Sequence, residues 1–153
     1  MQLVDNYVIQ KHQTLSDLPL TIQQLFFYNY ENERVTTMGF TKYAFSQLTS
    51  ITTSKNSLKN VRVFVIDDLP KLQTVKIGCE CFRMGWRKER DDGICRITNC
   101  PNLRQLEIGD HSFGDFKSFE LSNVNSLQSI KFGRECFEYC EYFSLNGEWK
   151  GRV

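Results

Sequence analysis

One phrase of apolar and polar positions is written three times in this chain. It reads LQTVKIGCECF at Leu72–Phe82, LRQLEIGDHSF at Leu103–Phe113 and LQSIKFGRECF at Leu127–Phe137. Its first part, L-x-x-[LIV]-x-[IF]-G, alternates. Ile130 and Phe132 therefore point to one side of an extended chain, and Ser129 and Lys131 to the other. A second phrase, F-x-[LI], follows as Phe64-Val65-Ile66, Phe119-Glu120-Leu121 and Phe143-Ser144-Leu145. Cys95-Arg96-Ile97 holds the same place, and Phe40 is a weaker counterpart. Both phrases predict short strands. No stretch carries the 3.6-residue period of an amphipathic helix of useful length.

The spacing of the phrases sets the architecture. Leu72, Leu103 and Leu127 are 31 and 24 residues apart. Stepping back places earlier copies at Leu48, in LTSITTSKNSL, and at Ile22, in IQQLFFYN. Five coils are expected, over 22–47, 48–71, 72–102, 103–126 and 127–153. Residues 1–21 form a weaker, cap-like segment in which Tyr7-Val8-Ile9 reads as a short strand. A single coil cannot bury its own inward residues, whereas stacked coils can, so a repeat of this period predicts laterally adjoining parallel strands about 4.8 Å apart. Gly78, Gly109 and Gly133 close the first strand at one column, either because φ is positive there or because the next backbone comes close. Asp67-Asp68, Asn99, Asn123 and Asn146-Gly147 read as turns.

These residues resemble the leucine-rich-repeat superfamily, and L-x-x-L-x-I-G-x-x-x-F looks most like its BspA-like type. The similarity covers about Ile22 to Leu145. It implies a mainly β, right-handed solenoid of about five coils, with two short parallel strands per coil, used for protein recognition and often found at cell surfaces. Two departures stand out. Cys79, Asp110 and Arg134 follow the glycine where the family's usual pattern has Asn, and the first coils are poor in Leu.

Composition narrows the function classes. The 153 residues include 19 basic and 18 acidic ones, a near-balance that argues against nucleic acid or an anionic membrane as the main partner. No apolar run approaches the roughly 20 residues of a membrane span. The N-terminus lacks a signal-peptide pattern, so a cytoplasmic location is favoured over secretion. The six cysteines are accordingly not expected to form a disulfide framework, and the repeat pattern makes Cys95 and Cys100 small buried hydrophobes. The C-x-C of Cys79 and Cys81, with His111 and Cys136 in stacked turns, is a weak metal pattern, and no metal or cofactor is expected. With two histidines and no nucleophile elbow, phosphate loop or dinucleotide fingerprint, the chain is not expected to be an enzyme.

The outward strand positions are the candidate recognition site. One column reads Gln23, Thr49, Gln73, Arg104, Gln128; the next Gln24, Ser50, Thr74, Gln105, Ser129; the third Phe26, Thr52, Lys76, Glu107, Lys131. Lys76, Glu107 and Lys131 should form an alternating-charge ladder, worth roughly 0.2–1 kcal/mol per pair. The seven residues that lengthen the third coil fall between Phe82 and Cys95, a charged loop with Trp86 and Arg87, residue types enriched in binding hot spots. The expected role is a non-enzymatic protein-interaction module with an unidentified protein partner. A fragment of a larger surface repeat protein and a purely architectural segment that self-associates end to end are the alternatives.

Overall fold

The computed structural model describes residues 6–83 and 93–146. Among the described residues the fold is mainly β. The strands are β1 (Asn6–Ile9), β2 (Gln24–Phe27), β3 (Thr37–Thr41), β4 (Ser50–Thr53), β5 (Val63–Asp67), β6 (Thr74–Ile77), β7 (Gly93–Thr98), β8 (Gln105–Ile108), β9 (Phe116–Ser122), β10 (Ser129–Phe132) and β11 (Tyr142–Asn146). One turn of helix, α1 (Lys42–Phe45), and a 3-10 turn at Leu15–Asp17 complete the set. The strands form two parallel sheets, ordered β1-β2-β4-β6-β8-β10 and β11-β9-β7-β5-β3. From β2 onward the chain alternates between them. The cap-like segment forms the short strand expected at Tyr7-Val8-Ile9 as β1, which pairs with β2 from Asn6↔Gln24 to Ile9↔Phe27. Its second half, with the 3-10 turn and Pro19, adds no strand to the second sheet among the described residues.

The register follows the alternation of the sequence. Val75 pairs with Leu106, and Leu106 with Ile130, all three at most 2% exposed. Inward residues of both sheets belong to one cluster that runs from Ile9 to Phe137. Each fully buried Leu, Ile or Phe contributes on the order of 1.5–3 kcal/mol. Rings tie the two sheets together, Phe27 to Phe40 at 6.5 Å and Phe119 to Phe132 at 5.8 Å. A further column of rings fills the turn between the sheets. Phe82 stacks on Phe113 at 4.2 Å and Phe113 on Phe137 at 5.0 Å.

The glycine column owes its composition to close approach, and not to positive φ. A β-carbon on Gly109 would lie 2.6 Å from the Cys79 amide nitrogen and 2.7 Å from the Gly78 carbonyl carbon. At Gly78 the obstacle is the backbone of Ser54 and Lys55, at 2.7 and 2.8 Å. The left-handed conformation sits just after these glycines, on non-glycine residues: Glu80, His111 and Glu135 (φ 57°, 59°, 55°) and Phe82, Phe113 and Phe137 (φ 56°, 57°, 54°). Asn56 and Leu58 repeat the pair in the preceding unit. An L-residue in this region costs about 1–2 kcal/mol. Backbone bonds to both neighbouring repeats hold it there. Glu80 donates its N–H to Asp110 O at 2.8 Å, and Phe113 donates to Cys81 O at 3.0 Å.

The turn after the second-sheet strands is held by side-chain amides. Asp68, Asn99 and Asn123 are all left-handed (φ 55°, 56°, 53°), a conformation Asn and Asp adopt most readily. Asn123 Nδ2 donates to Asn99 Oδ1 (2.8 Å), and Asn99 Nδ2 to Asp67 Oδ1 (2.9 Å). Asn146, read from sequence as a turn residue, instead ends β11 opposite Ser122. Hydrogen bonds from Thr98 and Asn99 hold the Asp67 carboxyl below the usual carboxylate range. Its folded pKa is therefore lower than its unfolded one. The resulting stability is present above the unfolded value, near pH 4, and is lost as pH falls through the folded value. Asp67→Asn is expected to flatten the acid limb of stability against pH, measured by denaturant unfolding at a series of pH values below about 5.

Candidate recognition face

Outward positions of the first sheet line up in unbroken columns. Gln24, Ser50, Thr74, Gln105 and Ser129 are successive register partners. So are Phe26, Thr52, Lys76, Glu107 and Lys131, with Val8 added ahead of Phe26 by β1. The column that begins at Gln23 precedes the strands and is stitched through backbone: Thr49 N–H donates to Gln23 O (2.6 Å), Gln73 to Thr49 O (2.8 Å), Arg104 to Gln73 O (2.8 Å) and Gln128 to Arg104 O (2.9 Å). Gln73, Lys76, Arg104, Gln128, Ser129 and Lys131 are exposed, and Thr74, Gln105 and Glu107 are half-buried. Trp86 and Arg87, the loop part of the expected site, lie outside the described residues.

The charge ladder forms. Glu107 lies 3.9 Å from Lys76 Nζ through Oε2 and 3.6 Å from Lys131 Nζ through Oε1. Gln105 Nε2 also donates to Glu107 Oε2 at 3.3 Å. With Lys131 76% exposed at its side chain, water screens these contacts, so the ladder orients the side chains more than it stabilises the fold. Beside it runs a shallow groove lined by Lys76, Gly78, Glu107, Gly109, Lys131 and Gly133. The glycines that packing demands thus leave an open channel next to the charged column.

The stacked turns do not assemble the metal pattern suggested by sequence. Cys81, Ser112 and Cys136 share the inward position between the two left-handed residues, while His111 belongs with Glu80 and Glu135. Inward Sγ and Oγ atoms cap carbonyls: Ser112 Oγ donates to Gly78 O (2.7 Å), Cys81 Sγ to Ser54 O (3.1 Å) and Cys136 Sγ to Gly109 O (3.0 Å). His111 Nδ1 meets Glu135 Oε2 at 2.9 Å. Among the described residues no group of three metal-ligating side chains occurs. Cys95 and Cys100 are buried at 1% and 0% exposure. Burial pushes both thiols up, Cys100 to about 11, so neither is a ready nucleophile.

A second outer surface went unrecognised in the sequence. On the five-stranded sheet, Val63, Val65 and Ile94 occupy outward positions and are half-buried. Gly39, the β3 partner of Val65, bears no side chain over them. Arg96 and Glu120 pair next to them at 3.1 Å. The signal was the run Val61-Arg62-Val63-Phe64-Val65-Ile66, apolar on both sides of the strand. Tyr142 and Phe143 at β11 are also exposed, 71% and 48%.

No protein-family model, curated protein or solved structure matches this chain. Among the described residues, no helix is long and apolar enough to cross a membrane.

Proposed function

We propose that this chain is a leucine-rich-repeat-type solenoid, resembling the BspA-like class, whose outward first-sheet face binds another polypeptide without catalysing a reaction. The observation that carries the reading is the column pattern. Inward strand positions of the first sheet are apolar except for Thr53 and share one cluster, while the outward positions of β4, β6, β8 and β10 hold amides, hydroxyls and charges in register across the sheet. Such a face offers many directional hydrogen-bond groups beside an open groove, which suits a broad surface more than a small substrate. Handedness and curvature belong to this proposal, drawn from the resemblance.

The test is a pull-down from the native source, comparing the wild-type chain with the double change Gln105→Ala and Glu107→Ala. Both positions are half-buried on the outer face, so the fold should persist, with a partner lost or reduced at least about fivefold. Partner capture unchanged by the double change would remove the face from the account. Deleting Arg87–Asp92 in parallel tells whether the loop contributes. A second reading, self-association through the β10–β11 side, is favoured by exposed Tyr142 and Phe143. Sedimentation showing a monomer at all concentrations discards it.

A further inference from the structure

We infer that the outward first-sheet face takes an acidic polypeptide segment bearing an apolar side chain at one end. This deepens the recognition reading and rests on it. The face is graded along its length. At the β1–β2 end, Val8 and Phe26 are register partners in one outward column. Val8 is 49% exposed and Phe26 half-buried, and Tyr28, one residue beyond β2, is 68% exposed. In the middle, Ser50 and Thr52 are uncharged. At the β6–β10 end, the column carries Lys76, Glu107 and Lys131, and Arg104 stands exposed just before β8.

Three cations against one carboxylate leave that half of the face positive, on a chain whose net charge is only +1. Glu107 is already shared between Lys76 and Lys131. A partner carboxylate set down among Lys76, Arg104 and Lys131 therefore meets an excess of positive charge. The turns beyond the strands differ in sign. They carry Glu80, Asp110 and Glu135, with Arg134 3.6 Å from Asp110 and His111 beside Glu135. Those carboxylates repel an acidic segment and direct it across the strands, along the lysine column and toward Arg104. Phe26 and Lys131 are four strand intervals apart, about 19 Å at the usual spacing, which an extended segment covers in about six residues. The apolar end supplies desolvated contact area and the basic end sets direction, the division of labour expected of a specific interface.

The experiment pans a random dodecapeptide phage library over the immobilised 153-residue chain and measures the selected peptides by fluorescence anisotropy. Selected peptides should hold more Asp and Glu than Lys and Arg, with an aromatic or aliphatic residue about six positions from an acidic one. Their affinity should fall with added salt. It should drop at least about fivefold in the double variant Arg104→Gln with Lys131→Gln, and again in Phe26→Thr. Two of these changes copy residues of the same columns, Gln128 for Arg104 and Thr52 for Phe26, and the Lys131 side chain is 76% exposed, so the sheet should tolerate them. Selected peptides without an acidic excess, or acidic peptides indifferent to both variants, would overturn the inference while leaving the recognition reading to the pull-down. So would failure to select any peptide. Displacement of the peptides by a twenty-nucleotide oligo-dT that binds more tightly with the same Arg104 and Lys131 dependence would overturn it in favour of nucleic acid.

Discussion

Replacing Phe113 by alanine is expected to destabilise the chain by about 3–5 kcal/mol. Phe113 is fully buried and sits in the middle of the ring column. Phe82 and Phe137 stack on its two faces at 4.2 and 5.0 Å, and Phe116 meets it edge-on at 4.9 Å. Removing the ring opens a cavity that two stacked neighbours cannot close without breaking their own contacts. The backbone gains no compensation, because alanine in the left-handed region is strained as phenylalanine is. Phe113→Leu makes the control. Leu58 already holds the equivalent place at φ 63°, so leucine fits that conformation, and the loss should be near 1–1.5 kcal/mol. Urea unfolding of both variants checks the pair. Equal losses would show that the ring column is not the binding element between the sheets.

Gly109→Ala is expected to cost about 3 kcal/mol or more, because the added methyl meets main-chain atoms that cannot rotate away. The Cys79 nitrogen and Gly78 carbonyl carbon at 2.6 and 2.7 Å belong to the neighbouring repeat, so relief requires two repeats to separate. At roughly 2–4 °C per kcal/mol for a chain of this size, the melting temperature should fall by about 6–12 °C. Gly39→Ala is the matched comparison. A β-carbon there has nothing within 4 Å, and φ is not in the left-handed range. Fewer unfolded conformations should then make it neutral or stabilising by about 0.4–1 kcal/mol. A thermal melt of both proteins distinguishes glycine required by contact between repeats from glycine that no neighbouring atom constrains.

The strands and their lateral register were legible because alternation fixes which side chains face inward, and a repeated phrase fixes which strands adjoin. Gln105 could be set beside Thr74 and Ser129, and Glu107 between two lysines, from spacing alone. The left-handed phenylalanines were not legible. No local preference puts a bulky side chain at positive φ; stacking of Phe82, Phe113 and Phe137 and bonds to adjacent repeats enforce it. The glycine column could be found but not explained, since close approach and positive φ leave the same mark in a sequence. His111 shares the stacked turns with Cys81 and Cys136 but stands one residue before the position that those two share with Ser112. A one-residue offset in an extended turn reverses the direction of a side chain. Val63, Val65 and Ile94 were missed because an apolar run gives no sign of which of its two faces is covered.

The central claim is that successive repeats share one interior through parallel strands in a fixed register. Interstrand NOEs in isotopically labelled protein test it most directly. Contacts from Leu106 to both Val75 and Ile130, residues 31 positions before it and 24 after it, are the predicted result. Contacts displaced by one residue, such as Leu106 to Lys131, or an antiparallel pattern between those strands, would contradict it.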